Sequence, residues 1–250
     1  MSEIIKFTDT KGIAEDYKPK PSDKFIPDWY KTMDSYINKN KEPNGFGETT
    51  ATIKRCMPVF DSITTGYIIT TYVDLWVKQV PVVPKDLIVD ENTDLSEYPT
   101  QPFYEWSNHG LIEFHPVVQA PNHPSRGRHE SDYPKFLNPW AIKTPPGYST
   151  LFIQPLHRSS PFTILPGVVD TDKYNAPVNF PFALNEADKF KGLIPAGTPI
   201  AQVIPFKRDS WKMEIGDIEE IREQAKTTNR LRSMFFDSYK KQFRQTKEYL

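Results

Sequence analysis

Residues 138–155, 156–184 and 191–206 read NPWAIKTPPGYSTLFIQP, LHRSSPFTILPGVVDTDKYNAPVNFPFAL and KGLIPAGTPIAQVIPF. Short apolar runs alternate here with proline and glycine. Pro145-Pro146-Gly147 precedes the run Tyr148–Pro155, Pro166-Gly167 precedes Val168-Val169, and Gly192 to Gly197 leads into Ile200–Phe206. Proline removes a ladder donor and glycine opens turns, so runs of this length between such breaks predict short strands joined by ordered turns. A further strand is expected at Val178–Leu184. The block Gly167-Val168-Val169-Asp170-Thr171-Asp172 places two carboxylates directly after a buried-looking strand. An Asp at such a point either bonds its own backbone in a turn or faces a ligand, and both readings stay open.

Composition agrees with a β-rich fold. The chain has 24 Pro against 11 Gly, which argues against a helical bundle. Only 38% of residues are hydrophobic, but 13% are aromatic, and large rings bury much area each. At 250 residues the chain is long enough to bury a sizeable core. The formal net charge of −1 leaves no global footprint for nucleic acid or an acidic membrane surface. Cys56 is the single cysteine, so neither an intramolecular disulfide nor a Cys-based metal cage can form. The first residues lack the apolar centre of a signal peptide, and no apolar run approaches the ~20 residues of a membrane helix. A protein that is neither secreted nor membrane-spanning is expected.

Working outward, residues 1–49 read as an arm with a strand near Glu3–Thr8 and a short helix in Phe25–Asn38. In that helix Trp29, Met33 and Ile37 share one face. Tyr67–Val77 reads as a strand, with Gly66 marking a bend. Cys56, beside Lys54 and Arg55, reads as a small packed residue. Phe103–Gln119 reads as a strand or hairpin turning at Asn108-His109-Gly110. The polar loop 121–132 carries His123, Arg126, Arg128 and His129, and is either solvated or an anion site. His115 lies two residues after Glu113 on one strand face, which makes a His/carboxylate metal site geometrically possible without a tight ligand spacing. Residues 209–250 read as a long C-terminal helix starting near Asp217, with acidic residues at its N-terminus.

The motifs TPPGYSTLF, RSS, PGVVDTDKYNAPVNFPFALN and IPAGTPIAQVIPF resemble, in order, landmarks of the deoxyuridine triphosphatase (dUTPase) and dCTP deaminase superfamily. The likeness covers residues 138–206 and implies that Phe60-Asp61 to Leu75 corresponds to the superfamily's earlier strands. The whole chain also resembles a family of tailed-phage and bacterial proteins without an assigned activity, which shares the NPW, TPPGYS, GVVDTD and GTPIAQVIPF blocks. The resemblance implies a mainly β fold: a jelly-roll or β-clip (dUTPase-like) domain over 50–208, with a short N-terminal helix before it and a long C-terminal helix after it. It also implies a homotrimer with sites between subunits, in the host cytoplasm or a virion, with nucleotide or other phage proteins as partners.

Residue by residue, the resemblance makes Asp170 the water-positioning carboxylate, with Mg²⁺ required if the protein is catalytic. Arg158 and Ser159 would bind phosphate, Tyr174 would lie on the sugar, and Asp172 would belong to the same site. The match departs in four places. The gap from Arg158 to Gly167 is short, Lys173 displaces Tyr174 by one residue, no glutamate follows the serine motif before Gly167, and the tail lacks a glycine-rich closing arm. These departures favour a non-catalytic structural, interaction or nucleotide-binding protein over a Mg²⁺-dependent nucleotide pyrophosphohydrolase.

Overall fold

The proline-punctuated runs do form short strands, and the chain is mainly β. The computed structural model describes residues 3–37, 51–106, 110–119, 133–186, 189–219, 221–222, 226 and 239–250. Fourteen strands occur among them. In chain order they are β1 (Lys6–Asp9), β2 (Lys20–Pro21), β3 (Tyr67–Thr70), β4 (Leu75–Pro81), β5 (Thr100–Trp106), β6 (Ile112–His115) and β7 (Tyr133–Phe136). There follow β8 (Trp140–Lys143), β9 (Tyr148–Ile153), β10 (Phe162–Ile164), β11 (Gly167–Val169), β12 (Phe180–Leu184), β13 (Gly192–Ile194) and β14 (Pro199–Lys207). Two short α-helices, α1 (Asp28–Thr32) and α2 (Met57–Thr64), precede β3.

The strands form antiparallel sheets in the orders β11-β9-β14-β3-β2, β10-β12-β7-β6, β13-β4-β5 and β1-β8. β14 is the centre of the largest sheet, and Ile200, Ala201, Gln202 and Val203 are buried in succession because both of its faces are covered. β12 alternates instead, turning Phe180, Phe182 and Leu184 inward. Phe182 stacks on Phe136 at 4.1 Å between ring centroids, and Phe162 meets Phe136 edge-on at 4.9 Å. Burying each such ring contributes about 1.5–3 kcal/mol, so a few aromatics offset the modest aliphatic content. The N-terminal segment belongs to these sheets as well: β1 pairs with β8, and β2 with β3.

Gly66 is the position where backbone geometry admits one residue type. Its φ is +75°, and a Cβ there would lie 2.1 Å from the Val203 carbonyl oxygen. That close approach lets α2 turn directly into β3 against β14. Buried Gln202 ties the junction, donating through Nε2 to the Ser62 and Thr65 carbonyls at 3.0 and 2.7 Å and accepting the Leu156 N–H at 3.0 Å. The end of the helix thereby finds partners for carbonyls that no intrahelical donor reaches.

Several expectations change. The stretch from Phe60-Asp61 begins in a helix, α2, rather than in early strands, and Pro58 at its first turn is the start signal. Cys56 caps that helix and is exposed, not packed. Tyr67–Val77 is two strands, separated where Thr71 bonds Thr198 and Gly197 across the sheet. α1 is only five residues long, so the Trp29/Met33/Ile37 face never forms, and Tyr30 is the side chain it buries. β5 and β6 do not form a hairpin: β5 pairs with β4, and β6 with β7.

Helical backbone begins at Ile218, close to the expected start, but the greater part of the expected C-terminal helix lies outside the described residues, as does the loop 121–132. Residues 209–217 have no regular secondary structure, and Tyr239–Phe243 is a single π-helical turn. Among the described residues no helix is long and apolar enough to cross a membrane.

Candidate functional site

The GVVDTD block lies at the end of a strand, as expected, but that strand, β11, is an exposed one rather than a buried one, and the two carboxylates differ in environment. β11 pairs with β9 so that Val169 lies opposite Thr150, which sets Asp170 beside Ser149. The Asp170 side chain is 60% exposed and that of Asp172 only 6%. Between them Thr171 is buried, its hydroxyl 2.8 Å from that of Thr144 and 2.7 Å from that of Thr150, which gives the turn a dry polar interior. Asp170 Oδ1 accepts the Ser149 hydroxyl at 2.7 Å. Asp172 Oδ2 accepts the backbone N–H of Gly147 at 2.9 Å, so the Pro-Pro-Gly turn and the GVVDTD turn are fastened to each other.

Arg208, the residue after β14, closes this cluster. Its guanidinium donates to both oxygens of Asp172, with Nη1 2.9 Å from Oδ1. The same Nη1 donates to the Tyr148 carbonyl at 2.9 Å and lies 3.2 Å from Asp170 Oδ1. The Arg208 N–H meets the Gly147 carbonyl at 2.8 Å, so the β14–β9 ladder itself positions the fork. The Arg208 guanidinium and the Gly147 N–H hold the Asp172 carboxyl far below the usual carboxylate range, and Asp172 raises the pKa of Arg208 in return. Sequence reasoning missed Arg208. The available signal was an arginine directly after the GTPIAQVIPF strand, paired in space with the aspartates of the neighbouring strand's turn.

Arg158 and Ser159 lie elsewhere. They follow the far end of β9, whereas Asp170 sits near its start; the four residue steps from Ser149 to Ile153 alone span about 13 Å. The structure therefore brings Asp170 and Asp172 together but does not bring Arg158 or Ser159 to them within one chain. Burial lowers the Arg158 pKa, and its buried Nη2 has no hydrogen-bond partner among the described residues. Ser159 lines a groove of about 490 Å³ together with Ser160, Asn185, Glu186, Phe190 and Thr198. Tyr174 is exposed on the turn after Asp172, its N–H bonded to the Asp170 carbonyl.

The other candidates are engaged locally. Glu113 pairs with Lys135 at 2.9 Å, and His115 Nδ1 lies 2.6 Å from Gln119 Oε1, so these two do not converge on a common point. His157 has a φ of +56°, places Nε2 3.1 Å from Ser62 Oγ, and accepts the Trp29 indole N–H through its carbonyl at 2.7 Å. Among the described residues no three His, Cys, Asp or Glu side chains converge. Nor do the residues of the GVVDTD cluster fit a divalent cation, because Asp172 gives both oxygens to Arg208 and a guanidinium stands beside Asp170. No protein-family model matches the chain, and no curated protein matches it in sequence.

Proposed function

We propose that this chain is a non-catalytic structural or interaction protein of phage type. In this reading a dUTPase-like β-clip body over residues 50–208 assembles as a homo-oligomer, as a trimer if the superfamily resemblance extends that far. The observation that carries the reading is the fork of Arg208 on Asp172, reaching Asp170 as well. A carboxylate that activates water needs its charge available to the reacting atoms. Here one aspartate is buried in an ion pair, and the other shares its oxygen with a hydroxyl and the same guanidinium. The GVVDTD turn thus serves as a clasp for the segment leaving β14.

Two observations support a second reading, a nucleotide pyrophosphohydrolase with its site between subunits. Asp170 faces solvent, and Arg158, beside Ser159, keeps one buried nitrogen without a partner among the described residues. In that reading the phosphates, not these side chains, would have to carry Mg²⁺.

A panel of nucleoside and deoxynucleoside triphosphates with Mg²⁺ separates the two, assayed for pyrophosphate release and thermal shift with the wild type and Asp170→Ala. The clasp reading expects no turnover and the same melting behaviour with and without nucleotide. Turnover that disappears in Asp170→Ala would overturn it.

A further inference from the structure

Beyond the clasp the chain leaves the body as an extended segment whose composition does not suit open solvent. Trp211, Met213 and Ile215 occupy every second position and are 89, 85 and 92% exposed. Lys212 and Glu214 alternate with them and pair with each other at 2.6 Å. This period of two gives an extended chain one apolar edge and one charged edge. Large apolar side chains concentrated in this way mark a surface that another surface covers.

The same chain carries an apolar face of matching kind. On the β13-β4-β5 sheet, Leu193 lies opposite Trp76, and Phe103 lies opposite Lys78 one pleat further along β4. Leu193, Trp76 and Phe103 are all exposed, and the Lys78–Glu105 pair, 2.7 Å apart, crosses between Trp76 and Phe103, so Leu193 and Trp76 form the continuous apolar part of the face.

In its own chain the arm does not lie on this face, and Trp211, Met213 and Ile215 stay exposed. β13 and β14 continue one ribbon against β4 and β3: Ile194 pairs with Leu75, and Pro199 with Thr70. The face is therefore at one end of the ribbon and the root of the arm at the other, eight strand residues or about 26 Å beyond Pro199. The four residues from Lys207 to Trp211 span at most about 14 Å. Arg208, held by Asp170 and Asp172, fixes the point of departure.

We propose that residues 209–217 are an exchange arm that lies extended across the β13-β4-β5 face of a second copy of this chain. Trp211, Met213 and Ile215 face Trp76, Phe103 and Leu193 of that copy, and Lys212 and Glu214 stay in water. Each copy offers one arm and one face, so the contact is heterologous and closes a ring where the rotation allows. The proposal rests on the homo-oligomer part of the functional reading and names what holds the oligomer together.

The test uses the full-length chain. Light scattering on the wild type is compared with Trp211→Asp/Met213→Asp/Ile215→Asp and with Trp76→Asp/Leu193→Asp, circular dichroism confirming that each stays folded. A photo-reactive residue replacing Met213 is then cross-linked in a mixture of ¹⁵N-labelled and unlabelled protein. Both multiple variants are expected to associate at least about ten-fold more weakly. Cross-links should reach peptides containing Trp76 or Phe103, including between differently labelled chains. An oligomer that both variants leave intact would overturn the arm while preserving the oligomer. A wild type that is monomeric at high micromolar concentration would overturn both. Weakening by the arm variant alone, or cross-links confined to one chain, would overturn the stated docking.

Discussion

Two buried aspartates in this protein each hold an arginine from a later segment, and the surroundings of the two clasps differ. Asp172 receives Arg208 from 36 residues downstream together with a backbone N–H from Gly147. Arg208 is itself in the β14–β9 ladder, bonded through its own N–H, so the sheet sets the geometry before the ion pair forms. Asp61, on α2, receives Arg244 from 183 residues downstream, with Nη2 2.7 Å from Oδ1, and Lys247 at 3.2 Å. Arg244 lies over the Phe60 ring, and Tyr249 meets Tyr67 edge-on at 5.7 Å, but the described residues 239–250 add no strand to a sheet. One clasp finishes an ordered ladder, while the other orders a segment by side chains alone. Segments with few backbone partners open locally at lower free energy than the core, so the tail is the part expected to open first.

Three measurements break or sharpen that contrast, in falling order of effect. Asp172→Ala removes the partner of a positioned guanidinium and of a backbone N–H within the body, and should lower the melting temperature by about 5 °C or more. Scanning calorimetry reads this directly, and an unchanged transition would show that the clasp is ornamental. Asp61→Asn should cost the body little, about 2 °C, because its main consequence is release of the tail. Hydrogen exchange over residues 239–250 and tryptic cleavage at Lys240 or Lys241 should accelerate markedly. Equal thermal losses in the two variants would erase the distinction.

The third measurement is pH. Arg244 holds the Asp61 carboxyl below its ordinary range, as Arg208 does for Asp172. A carboxyl depressed in the folded state contributes stability that is present above its unfolded pKa of about 3.9 and lost as pH falls through the lower folded value. Tail protection factors, corrected for the intrinsic pH dependence of amide exchange, should therefore be flat from pH 7 to about 5 and fall below about pH 4, with the Asp172 clasp, whose carboxyl is held far down, yielding only in stronger acid. Tail release on raising the pH would contradict this sign.

Much of the β framework was legible in the sequence. The runs Tyr148–Pro155, Val178–Leu184 and Ile200–Phe206 fall on β9, β12 and β14 because proline and glycine punctuation acts locally. The helix α2 was not legible as such: its Val, Ile and Thr content reads as strand, and only Pro58 hinted at a helix start. The division of labour between Asp170 and Asp172 was equally hidden. Strand alternation would put Asp170 and Asp172, two residues apart, on one face; their different burial comes instead from the turn that follows β11, from the Gly147 N–H and from Arg208, brought from another strand.

Local chemistry thus determined on its own that the chain is rich in short strands and that GVVDTD ends one of them. Tertiary structure decided what these mean. Strand register carried Arg208 onto the aspartates and set Arg158 at the other end of β9, and the apolar side chains of the alternating arm stand exposed. The physical reason is range: turn and strand preferences act over a few residues, whereas an ion pair or a missing partner depends on which distant segments the sheets bring within a few ångströms.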